Sequence, residues 1–369
     1  MIDRRYITNF DWPLLGVVLL LSMLGVLNLY SAGYSATGSA NTVYLRQLYW
    51  LGLSGVIMVV VLSFDYRRIA EWAPYIYAGS IITLVAVLFI GKTVSGSQRW
   101  LGFGSLVFQP SELAKLATVI TLASYFYHKD VKKGYGLKDL LAPAGIVLLP
   151  FILIVKEPDL GTSLLLLFVL ASMVLFVGIK WGAFLTLLGF GLTSVPFIWS
   201  LLKDYQKKRV ESFLWPERDP LGSGYHAIQS KIAVGSGKIL GKGYLAGSQS
   251  KLDFLPEQHT DFAFSVFAEE WGFMGSILLI ILYFLLILLG LQVAIRSKEK
   301  FGAFLAFGIV AMIFWHLVVN VGMVLGLMPV VGVPLPLISY GGSSAVTTLT
   351  SIGLLLNIRM RRFMLQKGP

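Results

Sequence analysis

Three short stretches place ionisable residues where the flanking sequence is otherwise apolar. In Gln109-Pro110-Ser111-Glu112-Leu113-Ala114-Lys115, Glu112 and Lys115 are three apart, which on a helix puts them on one face and within pairing reach. They form either a neutralised pair near a helix start or one charged wall of a polar cavity. Lys156-Glu157-Pro158-Asp159-Leu160-Gly161-Thr162 reads as a tight turn from its proline and glycine. Those residues do not account for two carboxylates beside them, although acids in exposed loops are ordinary. The third stretch is Pro256-Glu257-Gln258-His259-Thr260-Asp261-Phe262, running into Ala268-Glu269-Glu270-Trp271-Gly272. A carboxylate there, with His259 and two further acids nearby, looks like a site, or Thr260 or Asp261 can simply cap a helix.

The elements that must hold these residues are membrane spans. Of 369 residues, 56% are hydrophobic and 13% charged, against about 25% charged in an ordinary soluble domain. A spanning helix needs about 20 apolar residues, and such windows fall near 12–31, 46–64, 72–91, 111–127, 139–156, 160–178, 181–202, 272–294, 302–323 and 343–358. The expectation is an all-α integral membrane protein of about ten transmembrane helices, one domain over 1–369. An ionisable group in hydrocarbon is costly and usually faces an interior cavity, which makes each charged set above a candidate site. His316 falls inside a span and reads as an interhelical hydrogen bond.

The formal charge of +11 suits the membrane better than a nucleic acid, because of where the charges fall. With the N-terminus inside, the inner segments carry Arg4, Arg5, Arg67, Arg68, Lys129, Lys132, Lys133, Lys138, Lys180, Arg296, Lys298, Lys300, Arg359, Arg361, Arg362 and Lys367. The short outer loops hold only Arg46, Lys92 and Arg99. That asymmetry puts both ends in the cytoplasm and all three charged sets near outer helix ends. The N-terminal apolar run exceeds the ~7–15 residues of a cleaved signal, which makes it an uncleaved first helix. The segment 203–271 becomes one large extracytoplasmic loop between the seventh and eighth spans, and loops this long are functional or disordered. A helix from Asp261 to Arg296 would run about 53 Å, too long for one bilayer. Its first ten residues are therefore expected at the outer interface or jutting above it.

Cysteine is absent, which excludes disulfides, thiolate catalysis and Cys-ligated zinc. Four histidines lack metal-ligand spacing. Gly235-Ser236-Gly237-Lys238 hints at a phosphate loop but has Ser236 where the first glycine belongs, and Gly243 in place of the Ser/Thr. The glycine- and proline-rich stretch 326–343 breaks the ninth span; backbone of that kind must be buried in protein or line a cavity.

Taken in order, several motifs resemble those of the SEDS family of shape, elongation, division and sporulation proteins. They are Gly96-Ser97-Gln98-Arg99-Trp100, Phe108-Gln109-Pro110-Ser111-Glu112, Glu157-Pro158-Asp159-Leu160-Gly161-Thr162-Ser163 and Asp219-Pro220-Leu221-Gly222. Tyr225-His226, Gln229-Ser230-Lys231, Gly241-Lys242-Gly243, Leu255-Pro256-Glu257, His259-Thr260-Asp261-Phe262, Gly332-Val333-Pro334-Leu335-Pro336 and Ser339-Tyr340-Gly341-Gly342-Ser343 follow. The resemblance covers nearly the whole chain, and the long loop with Asp204-Tyr205-Gln206 favours the elongation branch over the division branch. It implies a peptidoglycan glycosyltransferase of the bacterial plasma membrane. Such an enzyme polymerises lipid II, an undecaprenyl-diphosphate disaccharide-pentapeptide, at the outer face. The implied partners are a class B penicillin-binding transpeptidase and other membrane proteins of the elongation machinery. The family's essential aspartate falls on Asp261 and its cavity residues on Glu112, Lys115 and Asp159. The acceptor 4-hydroxyl needs a base. The leaving diphosphate needs cations, or a divalent metal such as magnesium or manganese, and Arg209, Lys231 and Lys242 in the outer loop are the candidate cations.

Two other functions fit the same motifs. A lipid II flippase would carry charge through the full depth of the bundle, whereas these spans are nearly uncharged in their inner halves. A scaffold that only anchors a transpeptidase has no use for an intramembrane Lys–Glu pair.

Overall fold

The computed structural model describes residues 9–34, 42–94, 97–103, 106–129, 131, 134–219, 222–252, 254–255 and 257–362. Arg4, Arg5, Gly96, Lys132, Lys133, Pro220, Leu221, Pro256 and Lys367 lie outside these. The chain is mostly helical. In order come α1 (Trp12–Ala32), α2 (Val43–Ser63), α3 (Arg67–Ile90), strands β1 (Lys92–Val94), β2 (Ser97–Phe103) and β3 (Leu106–Phe108), α4 (Pro110–His128), α5 (Leu137–Lys156), α6 (Leu160–Val177) and α7 (Trp181–Leu201). Then follow α8 (Asp204–Leu214), α9 (Ser223–Ser236), α10 (Ser248–Lys251), α11 (Ala263–Arg296), α12 (Lys300–Val324) and α13 (Gly342–Met360).

Each of the ten apolar windows falls on a helix. Seven of them, α1, α2, α3, α5, α6, α11 and α12, are long and apolar enough to cross a membrane, and α7 contributes a shorter apolar stretch, Trp181–Phe197. The helices α4 and α13 are less apolar for a physical reason. Both are largely buried among the other helices and carry interior polar side chains, Glu112, Lys115 and Thr118 on α4 and Ser343, Thr347, Ser351 and Asn357 on α13. Such helices meet protein on all sides instead of lipid, so they can carry hydrogen-bonded groups that lipid would exclude.

The all-α expectation needs one correction. A three-stranded antiparallel sheet, β1-β2-β3, joins α3 to α4. Backbone leaving a helix at a bundle end must satisfy its N–H and C=O groups, and pairing Leu101 with Phe108 and Lys92 with Trp100 does so within a short segment.

At the end of the long loop the helix starts at Ala263, and residues 263–270 are buried against the rest of the chain. Gly272 breaks this helix with φ 63° and ψ −161°, a region essentially reserved for glycine. The loop fills the break. Lys242 and Gly243 donate their N–H groups to the carbonyls of Glu269 and Glu270, and Phe273 and Met274 donate to those of Lys238 and Ile239. A Cβ on Gly272 would stand 2.2 Å from the Gly241 nitrogen, so this close approach also demands glycine. The loop itself holds α8, α9 and α10.

At the far end of the bundle the charges pair across helices. Asp11 caps α1 through Leu14 N and meets Arg359 at 3.5 Å, while Arg67 meets Glu299 at 2.9 Å. Asn357 donates to the carbonyls of Val61 and Phe64.

Candidate active site

The other end of the bundle collects the residues singled out by sequence. Asp261 precedes α11, whose N-cap position is Phe262 and whose start has no side-chain cap; Asp261 is thus not a helix cap. Its backbone carbonyl accepts from Asn320 Nδ2 at 2.9 Å, and the same amide nitrogen donates to Val333 O at 2.7 Å. Asn320 therefore ties the end of α12, the 326–341 segment and Asp261 together. The carboxylate faces Gly332, where a Cβ would stand 3.2 Å from Oδ2. A side chain there would crowd it. Among the described residues no hydrogen bond engages the Asp261 carboxylate, which is half-buried. Burial and the Glu257 charge push it up to about 7, with Asp159 adding to the effect and Arg99 and Arg209 opposing it.

Asp159 is used differently. Its Oδ1 accepts from Thr162 N and caps α6. Its Oδ2 accepts from Thr162 Oγ1 at 3.0 Å and Gln109 Nε2 at 3.1 Å, with Arg99 on β2 at 3.7 Å. Gln109 in turn donates its N–H to Ser343 Oγ at the start of α13. One carboxylate thus joins the sheet and the starts of α4 and α6. The turn that carries it packs onto the 326–341 segment, since a Cβ on Gly161 would meet Val331 O at 2.6 Å. That segment also carries Gly332, against the Asp261 carboxylate.

The Glu112 and Lys115 pair exists, at 2.8 Å and fully buried. It has a third member. Lys115 Nζ lies 2.6 Å from His316 Nε2, and His316 Nδ1 lies 2.7 Å from the Met312 carbonyl. The Nδ1–H donates to that carbonyl, which leaves Nε2 as the acceptor for the ammonium. His316 is the interhelical hydrogen bond expected of it, and its partner is the site lysine.

The loop cations separate into two groups. Arg209 and Lys231 line one pocket with Ser212, Phe213, Met328 and Pro329, and Arg209 is near enough to act on Asp261. Lys242 is bound to Glu269 at 2.5 Å and to Ser248 Oγ at 2.7 Å. Glu269, fully buried, also accepts from the backbone of Ser248 and Gln249. The Lys242 ammonium is committed to holding the loop on α11. Glu270 does similar work through Ser31 of α1. Among the described residues no three His, Cys, Asp or Glu side chains converge as a metal-holding group.

Two residues of this end carry more than the sequence assigns to them. Arg99, an outer-loop charge within the Gly96–Trp100 motif, acts on Glu157, Asp159 and Asp261. Glu157, one of the two turn carboxylates of a candidate charged set, is 1% exposed.

A bundle with this many helices long and apolar enough to cross a bilayer is a multi-pass membrane protein. The chain belongs to the FtsW/RodA/SpoVE family, whose model, described as Cell cycle protein, matches residues 11–363. It is 42% identical over 364 residues to the peptidoglycan glycosyltransferase MrdB of Escherichia coli (strain K12), across 98% of each chain. Its fold is similar to that of a chain from a peptidoglycan synthase complex studied for coordination of polymerization and crosslinking, with TM-score 0.82 and 33% identity over 96% of this chain and 98% of that one. It is also similar to the rod shape determining protein RodA of Thermus thermophilus, with TM-score 0.71 and 30% identity over 96% and 98%.

Proposed function

We propose that this chain is a peptidoglycan glycosyltransferase that polymerises lipid II at the outer face of the bacterial plasma membrane during cell-wall elongation, with Asp261 as its general base. The reading rests on relatives that carry this activity in their names. For mechanism, the observation that carries it is the half-buried Asp261 carboxylate, pushed up to about 7 and engaged by no hydrogen bond among the described residues. A base with its pKa near the working pH serves proton abstraction best. The acceptor 4-hydroxyl gives its proton to Asp261 as its oxygen bonds to the donor sugar's C1. The C1–O bond to the diphosphate breaks with its electron pair on the departing phosphate oxygen. Arg209 and Lys231 supply positive charge for that anion, and Glu112, Lys115 and Asp159 shape the cavity.

In this reading the ten helices α1 to α7 and α11 to α13 cross the membrane as one domain. Both termini are cytoplasmic, and 203–271 lies outside, where the sugars of lipid II are. The partner is a class B transpeptidase, which cross-links the strands this chain makes. The likeness to a synthase that couples polymerization and crosslinking supports that pairing. The test is purified protein with lipid II in detergent, scored for glycan polymer. Wild type should polymerise and Asp261→Asn should not. A lipid II flippase, which has nothing to cross in detergent, would give no polymer in either case.

A further inference from the structure

Glu157 has an environment that its role in the turn does not explain. It is the C-cap residue of α5, 1% exposed, and neither carboxylate oxygen has a hydrogen-bond partner among the described residues. Four physical facts oppose its ionisation. It is desolvated, it has no donor, it sits at the negative end of a helix dipole, and the Asp159 carboxylate is two residues away. Arg99 on β2 and the exposed Lys156 beside it are the cations in its neighbourhood, and Arg99 is already bound to Asp159. Burial first, then Asp159, push the Glu157 carboxyl up to about 8, against Arg99. At neutral pH it is a carboxylic acid whose O–H finds no acceptor among the described residues. A buried polar group left unsatisfied in a folded protein calls for an explanation, and a catalytic role is one of the usual ones.

We propose that Glu157 is a substrate-contacting acid that keeps its proton and donates a hydrogen bond to an anionic oxygen of the lipid-linked diphosphate. The ligand's identity rests on the glycosyltransferase reading; the need for an acceptor does not. Three features favour an anion over a sugar hydroxyl. Arg99 brings positive charge to the same turn. A neutral Glu157 spares an incoming diphosphate one more carboxylate beside Asp159 and Asp261. A carboxylic acid donating to an anionic oxygen makes the short, strong kind of hydrogen bond. No proton changes owner in this contact.

The test is binding of undecaprenyl diphosphate to the purified full chain, measured at pH 6.5 and pH 9. An Asp261→Asn background removes the other titrating carboxyl. With Glu157 intact, affinity should fall about tenfold or more between the two pH values, as the acid ionises and repels the ligand. Glu157→Gln, which keeps an N–H donor, should bind within about threefold of its parent at pH 6.5 and lose the pH dependence. Glu157→Ala should bind about 10- to 100-fold more weakly at pH 6.5, the worth of a hydrogen bond to a charged group. Equal binding by the glutamine and alanine variants would overturn the proposal, as would a pH dependence that survives in Glu157→Gln. Because binding is read without turnover, these outcomes stand even if the chain makes no polymer, which would instead overturn the glycosyltransferase reading.

Discussion

Replacing Asp261 with asparagine tests the mechanism most directly. Asparagine keeps the size and most of the hydrogen-bonding capacity of the side chain but cannot take a proton. The rise of the Asp261 carboxyl from 3.8 to about 7 measures how strongly its surroundings disfavour the ionised form, on the order of 4 kcal/mol at 1.36 kcal/mol per unit. Kinetically, wild type should show an acid limb. About a tenth of the base is ionised at pH 6, half near pH 7 and nine-tenths at pH 8, so polymerisation should fall roughly tenfold per unit below pH 6. Glu257→Gln removes the charge that ranks second in raising Asp261 and should move the limb to lower pH. The stability sign runs opposite to that of a paired acid. Between 3.8 and about 7 the folded state holds a proton that the unfolded chain has lost, so stability falls as pH rises through that window. Asp261→Asn should therefore be at least as stable as wild type at pH 7.5, while losing ~10²–10⁴-fold in rate. The assay is initial polymerisation of lipid II by purified protein, free of other glycosyltransferases, with melting temperature as the control. Near wild-type polymer from Asp261→Asn would refute the base assignment, and so would a wild-type limb centred near pH 4.

Lys115→Met leaves Glu112 buried and unpaired, which should cost about 3–5 kcal/mol, seen as a lower melting temperature together with lost activity. Glu112→Gln/Lys115→Met should regain stability but not polymerisation; a double variant as active as wild type would make the pair structural only. For Glu157, the folded carboxyl near 8 against 4.5 unfolded means stability is lost as pH rises from 4.5 to 8. Glu157→Gln should accordingly melt higher than wild type at pH 8 and by little at pH 4.5, and equal melting at both would show that the carboxyl is not strained. Because the chain has no cysteine, single engineered thiols report topology cleanly. Leu252→Cys should react with an impermeant maleimide in intact cells and Lys132→Cys should not, and the reverse would invert the proposed orientation.

The spans were legible because lipid imposes a length and an apolarity that any run such as 272–294 displays. Interior helices were legible for a different reason. Glu112 and Lys115 stood out on α4 because charge within a span is costly, and they do pair. The sheet was not legible, since its strands are short and the pairing of Lys92 with Trp100 is specified by contact instead of by period. The outer cations show where sequence stops. Lys242 reads as a free loop cation, but its ammonium is bound by Glu269, 27 residues on. Nothing local distinguishes it from Lys231, which lines the pocket with Arg209. Likewise His316 announced a polar contact inside a span, while its partner, Lys115, lies 201 residues away.

Three of the carboxylates at the site end show how one fold assigns different chemistry to the same functional group. Asp159 accepts from a backbone N–H, a hydroxyl and an amide and pairs with a guanidinium, so its carboxylate is committed to holding segments together. Glu157 is 1% exposed and has no donor among the described residues, so near neutrality it keeps a proton and is set to donate. Asp261 lies between these extremes, half-buried and bonded through its backbone but not its side chain. Its raised carboxyl can lose a proton near neutrality and take one from an incoming hydroxyl. Environments that separate titratable groups in this way mark acid and base assignments. Burial raises both Asp261 and Glu157, the first setting an acid limb and the second an alkaline one. Glu157→Gln should therefore change the pH profile of polymerisation on its alkaline side and leave the acid limb in place.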